Sequence, residues 1–250
     1  ALRVDSNFVL AASFIRFGGD DILNTTDLLD ENGNVNYDNI SLFSATDFAA
    51  IFSIAKKTKS NFNLGLSSKV IRRKIGPFAN SWGIGLDFGI QLEREKWMFG
   101  LLMKDLTTTI NFWNINQDSY SAQYEETGNI VPEDDIEITY PQLLCGVARE
   151  FNIYKDFTLS SEIDVVTTWD GRRNTLLSNK LFSMNPSIGF ECGYKKIAFL
   201  RFGLGNFQKE ISINNYERIS LQPNFGIGIN VWSFQLDYSL TNLGNISSVL

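Results

Sequence analysis

The chain of 250 residues contains no histidine, two cysteines, three methionines and five prolines. Without histidine, neither a Ser-His-Asp nor a Cys-His nucleophile can be assembled, and no His-ligated metal site can form. The cysteines, Cys145 and Cys192, fall on candidate strands separated by a third. Strands lie about 4.8 Å apart, so the two thiols stand roughly 10 Å apart, beyond disulfide reach, and read as small apolar fillers. No apolar run reaches about 18 residues, so no transmembrane helix is expected. The opening ALRVDSNFVLAASF lacks a charged n-region followed by a long apolar stretch. It therefore starts at a mature N-terminus or within a longer protein. Lys and Arg number 22 against 28 Asp and Glu, a net charge of −6. A nucleic-acid binder normally shows a basic face, so no nucleic-acid partner is expected.

What is present is alternation. In NSWGIGLDFGIQLE, Trp82, Ile84, Leu86, Phe88, Ile90 and Leu92 alternate with Gly83, Gly85, Asp87, Gly89, Gln91 and Glu93. A period of two places these sets on opposite faces of a strand. The pattern recurs in ERISLQPNFGIGINV, DFTLSSEIDVVTTW, SFQLDYSLT and MNPSIGFECGYK. Eleven strands are predicted, at roughly 7–17, 46–55, 61–74, 80–93, 96–106, 138–151, 156–169, 184–195, 197–206, 217–231 and 233–241. Several exceed the common length of about five or six residues.

Short connections (56–60, 94–95, 152–155, Lys195–Lys196, Trp232–Ser233) alternate with longer ones (18–45, 75–79, 107–137, 170–183, 207–216). In an up-and-down meander, alternate connections lie at one end. One trimmed end and one elaborate end is the habit of transmembrane β-barrels. The fold expected is all-β, an antiparallel up-and-down transmembrane β-barrel, with residues 1–250 in one domain. Strands of about 9–11 residues suffice to cross a bilayer at a tilt. Trp82, Trp97, Trp169 and Trp232 fall at strand ends, where interfacial girdles sit. On this assignment Trp82 to Leu92 face acyl chains, while Asp87, Gln91 and Glu93 face the interior. Gly83, Gly85 and Gly89 then ease sheet curvature or leave room for a plug. A soluble β-sandwich binding module alternates in the same way and stays open as an alternative.

The interior is expected to hold Asp87, Lys104, Arg149, Glu162, Asp164, Glu191, Arg201, Arg218 and Asp237 as a polar network. Glu162 and Asp164 form a carboxylate pair of the kind glycosidases use, but polar residues recur on that face of every strand. No catalytic residue, metal or cofactor is assigned. DLLDENGNVNYDN (27–39) has glycine at the sixth position of a calcium loop, Gly33, but Leu28 and Asn39 at the first and twelfth, and reads as a surface loop. In the loop 107–137, Trp113, Tyr120 and Tyr124 stand among acidic residues and are the candidate partner-binding anchors.

FSATDFAAIFSIAKK (43–57), FNLGLSSKVI (62–71), SWGIGLDFGIQLE (81–93), FGLLMKDL (99–106) and FQLDYSLTNLGN (234–245) resemble, in order and spacing, the PorV/PorQ-type outer-membrane proteins of the type IX secretion system. These are related to FadL-type barrels. The resemblance runs from about residue 7 to 245. It implies a bacterial outer-membrane location and a role in handling exported proteins. The partners implied are secreted proteins with C-terminal sorting domains, or subunits of the secretion translocon. Members are fourteen-stranded, and the eleven strands here correspond to the third through thirteenth. An Asn-Pro-Ala segment before the first strands and a closing last strand have no counterpart here. Asp105 stands where Asn is common. A FadL-like transporter of hydrophobic small molecules is the alternative within the same fold. Met98 and Leu102 on the inward face hint at an apolar lining.

Overall fold

The computed structural model describes residues 2–29, 33–58, 61–119, 130, 133–211, 217–232 and 234–241. Its strands are β1 (Leu2–Arg3), β2 (Phe8–Asn24), β3 (Ser41–Lys57), β4 (Phe62–Ile75), β5 (Ala79–Arg94), β6 (Trp97–Lys104), β7 (Thr109–Ile115) and β8 (Asp135–Thr139). They continue with β9 (Gln142–Tyr154), β10 (Phe157–Thr168), β11 (Leu177–Ser178), β12 (Ser183–Tyr194), β13 (Ala198–Ile211), β14 (Glu217–Val231) and β15 (Phe234–Thr241). The chain is all-β, a fifteen-stranded antiparallel sheet in the order β1-β2-β3-β4-β5-β6-β9-β10-β12-β13-β14-β15. β7 joins β5 and β8, and β11 joins β12. The order ends at β1 and β15, which are not paired with each other among the described residues.

Each of the eleven predicted segments contains a strand, with 138–151 spanning the end of β8 and most of β9. The additions are short or lie inside expected loops. β2 and β3 each run to 17 residues, so the link between them shrinks to 25–40. The expected loop 107–137 contains β7 and the first part of β8. β5 pairs with β7 over Ala79–Ile84 and with β6 over Phe88–Arg94. Two shorter strands thus occupy successive stretches of one long neighbour. β8 and β9 pair with β7 and β6 respectively. Sequence periodicity missed this because Asp105 and Thr108, at φ 54° and 63°, break the alternation between β6 and β7.

Contacts divide the chain into two units. One comprises Ala1–Ala55, Gly65–Asp87 and Asp105–Thr139; the other comprises Lys56–Leu64, Phe88–Lys104 and Tyr140–Leu250. Burial is inverted relative to an ordinary globular domain. Among the described residues the one buried hydrophobic side chain is Phe78, whereas Ser81, Asp105, Thr109, Asn111, Thr168 and Ser183 are all buried. In the second unit Leu200 is 65% exposed and Leu236 73%. Fully burying such a side chain would contribute about 1.5–3 kcal/mol, a gain these strands do not draw from their own chain.

Short turns of the second unit take left-handed backbone without glycine at Glu95, Lys155, Lys195, Lys196 and Trp232. Lys195 and Lys196 both have positive φ, and Ile197 N–H donates to Tyr194 O at 2.9 Å, as a type I′ turn requires. Cys145 and Cys192 are free, on β9 and β12 with β10 between them, as the sequence predicts.

Candidate functional site

In the first unit, β4, β5 and the turn after β6 build a charged cluster. Lys69 Nζ lies 2.8 Å from Asp87 Oδ1 and 2.6 Å from Asp105 Oδ1. Asp87 also accepts the Asp105 N–H at 2.8 Å, and Thr109 donates its hydroxyl to Asp105. Asp105 holds the left-handed conformation that Asp and Asn tolerate best, and its carboxylate gives Lys69 a second counter-charge. Leu106 N–H donates to Leu86 O at 2.8 Å, so the turn is tied to β5 where that strand changes partner.

Glycine makes this possible. A Cβ on Gly85 would collide with the Thr109 hydroxyl and stand 2.8 Å from Lys69 Cε. One on Gly83 would collide with the Asn111 amide. Both glycines are therefore lanes for side chains of neighbouring strands. Gly89 has Leu102 no nearer than 3.6 Å and is not such a lane. Ser81 Oγ and both amide atoms of Asn111 are buried without a hydrogen-bond partner among the described residues.

Trp113 is not a loop residue. It lies on β7, on the polar face with Asn111, and its indole N–H donates to Glu137 Oε2 at 2.8 Å. Arg73 reaches the same oxygen at 3.2 Å and Asp47 at 3.6 Å. The placement of Trp113 in a loop is therefore corrected. Tyr120 and Tyr124 lie outside the described residues.

The second unit has its own network. Arg201 on β13 donates Nε to Glu191 Oε2 at 2.6 Å and Nη1 to Asp237 Oδ1 at 2.5 Å. To reach β15 it crosses β14 above Gly228, where a Cβ would stand 2.5 Å from Asp237 Oδ1 and 3.0 Å from Arg201 Nη1. Glu162 and Asp164 share a face of β10, opposite Ala148 and Gly146 of β9. Lys104 pairs with Gln142 at the end of β6. A concavity of about 460 Å³ is bounded by Met98, Ala148, Glu162, Glu191, Arg201 and Asn224, among others. Arg218 belongs to β14, but its side chain lies outside those described.

Arg149 departs from expectation. It faces Trp97 and Ser161 across the ladder, on the apolar side of β9. Its guanidinium lies 4.7 Å from the Trp97 ring centre and 4.9 Å from that of Phe151. Arg72 sits likewise over Trp82 at 4.8 Å. A long cationic side chain can lie along an apolar surface while its head reaches a polar boundary, so its charge, rather than strand parity, misplaces it. Lys69, Thr109 and Asn111 were not singled out from the sequence, and Glu137 only as one of the acidic residues of the loop 107–137. The signal for Lys69 was its alternation with Ser67 and Arg73, blurred by the neighbouring Arg72.

The longer links also carry built structure. In 169–182, Arg173 Nε donates to both carboxylate oxygens of Asp170 at 3.0 Å. This guanidinium holds the Asp170 carboxyl below the usual carboxylate range. Asn179 accepts the N–H groups of Leu181 and Phe182, and buried Ser183 donates to Gly171 O at 2.9 Å.

In comparisons with known proteins, no family model matches the chain and no curated protein is similar to it.

Proposed function

We propose that the chain forms the wall of a bacterial outer-membrane β-barrel of the PorV/PorQ type. In that role it captures secreted proteins, or translocon subunits, through its longer loops. The observation that carries this is the inverted burial: apolar side chains exposed on one face, ion pairs and buried hydroxyls on the opposite face. A soluble sandwich would bury its apolar faces against each other. Lipid gives those side chains an apolar neighbour, and the antiparallel ladder satisfies the backbone without water. Trp82 and Trp97, each under an arginine, suit the two interfaces. Partner capture rests on the resemblance and on the longer links. The 460 Å³ concavity mixes Glu162, Glu191 and Arg201 with Met98, Phe190, Phe202 and Phe225, so a carrier of hydrophobic molecules stays open as the second reading. No catalytic step is part of the proposal.

Two measurements test it. The chain should leave membranes only with detergent and migrate faster in gels when unheated; recovery as a soluble monomer would refute the membrane role. Replacing 120–132 by a Gly/Ser linker spares β7 and β8. It should preserve heat-modifiable migration yet reduce co-purification of secreted cargo. Full capture by that variant would remove this loop from the mechanism.

A further inference from the structure

Resting on the membrane role proposed above, the geometry points to a site for the phosphate of anionic glycerophospholipids at the short-turn end of the second unit, centred on Arg149. Arg16, Arg73, Arg173 and Arg201 each have a carboxylate partner. Arg149 has none among the described residues, and its Nε is shut off from solvent without an acceptor. Arg72, the other arginine stacked on a tryptophan, donates to Asn80 Oδ1 at 3.0 Å. Arg149 is thus a cation within reach of the Trp97 and Phe151 rings, on an apolar face, with no counter-charge among the described residues.

Two more cations extend the site along the next strands. Lys155 Nζ lies 5.7 Å from the Tyr154 ring centre, and Lys195 Nζ 5.3 Å from that of Tyr194. Phe157 pairs with both tyrosines across the ladder, which makes the rings one row. Against these three cations stands Asp156, 3.7 Å from Lys195. An aromatic row of this kind sits at headgroup depth. The guanidinium plane matches two phosphate oxygens, and the lysines supply point charges beside it. A lipid fits better than an acidic protein, because the rings continue into the apolar face of the same strands.

The test uses the full chain in vesicles whose lipids carry brominated acyl chains. The Trp97 signal is isolated as the difference between the parent and Trp97→Phe. Brominated phosphatidylglycerol should quench Trp97 with about fivefold preference over brominated phosphatidylcholine, since one basic residue near a membrane surface contributes roughly that factor. The preference should fall towards one in Arg149→Gln/Lys155→Gln/Lys195→Gln and persist in part in Arg149→Lys. Heat-modifiable migration should stay unchanged in both. Equal quenching by the two lipids in an inserted chain, as expected if the row meets an acidic protein instead, would overturn the site alone. Retention of the preference by the triple variant would overturn it as well. Failure of either lipid to quench, with no heat-modifiable migration, would overturn the membrane role and the site with it.

Discussion

Lys69 is the side chain on which the first unit's polar face depends most. It neutralises Asp87 and Asp105, and the side chains of all three are largely shielded from water. Breaking a buried pair by removing one partner costs about 3–5 kcal/mol, because a charge is left behind. Lys69→Met leaves two adjacent carboxylates and should lower unfolding stability in denaturant titrations by about that amount. Gly85 and Leu86 test the faces from adjacent positions. Leu86→Arg should cost about 2–4 kcal/mol in lipid if it lies near the midplane. Gly85→Val should cost about 1–3 kcal/mol through overpacking against Thr109 and Lys69. The first cost should shrink in detergent micelles with a thin apolar layer, and the second should not. Equal behaviour in both media would mean the faces are misassigned. The sequence made Asp87 legible as inward by parity alone. It could not show Asp105 turning back onto the same lysine, because that contact depends on a left-handed turn.

At the scale of elements, strand order was legible and interruptions were not. Alternation over 80–93 or 217–231 survives because every second residue meets the same medium. Between β6 and β7 the alternation is broken by Asp105–Thr108, so the next strand was absorbed into a loop and Trp113 with it. The link 169–182 invites a test by acid. The Asp170 carboxyl is held below its usual range chiefly by its hydrogen bonds from Arg173. A depressed native value means the stabilisation is complete above the unfolded value, about 3.9, and is lost as pH falls through the native one. Exposed pairs contribute about 0.2–1 kcal/mol, so the effect is local. Amide exchange at Arg173 and Leu181, corrected for its intrinsic pH dependence, should be steady from neutral pH to about 5 and rise below about 4. In Asp170→Asn the acid-dependent rise should vanish. An identical rise in that variant would remove Asp170 as its cause.

For the whole molecule, the inverted burial has a thermal consequence. Soluble domains unfold with a heat-capacity increase of about 12–15 cal/mol/K per residue, because apolar groups become hydrated. Leu200, Leu236 and their neighbours are already outside the fold. In a bilayer they exchange no apolar contact for water unless the chain also leaves the membrane. Calorimetry of the chain in lipid should therefore give an increment per residue well below the soluble range, with a nearly temperature-independent enthalpy. An increment within that range would mean that melting hydrates these side chains. A small one would make the chain's stability fall almost linearly on heating, with none of the curvature that brings cold denaturation to water-soluble folds.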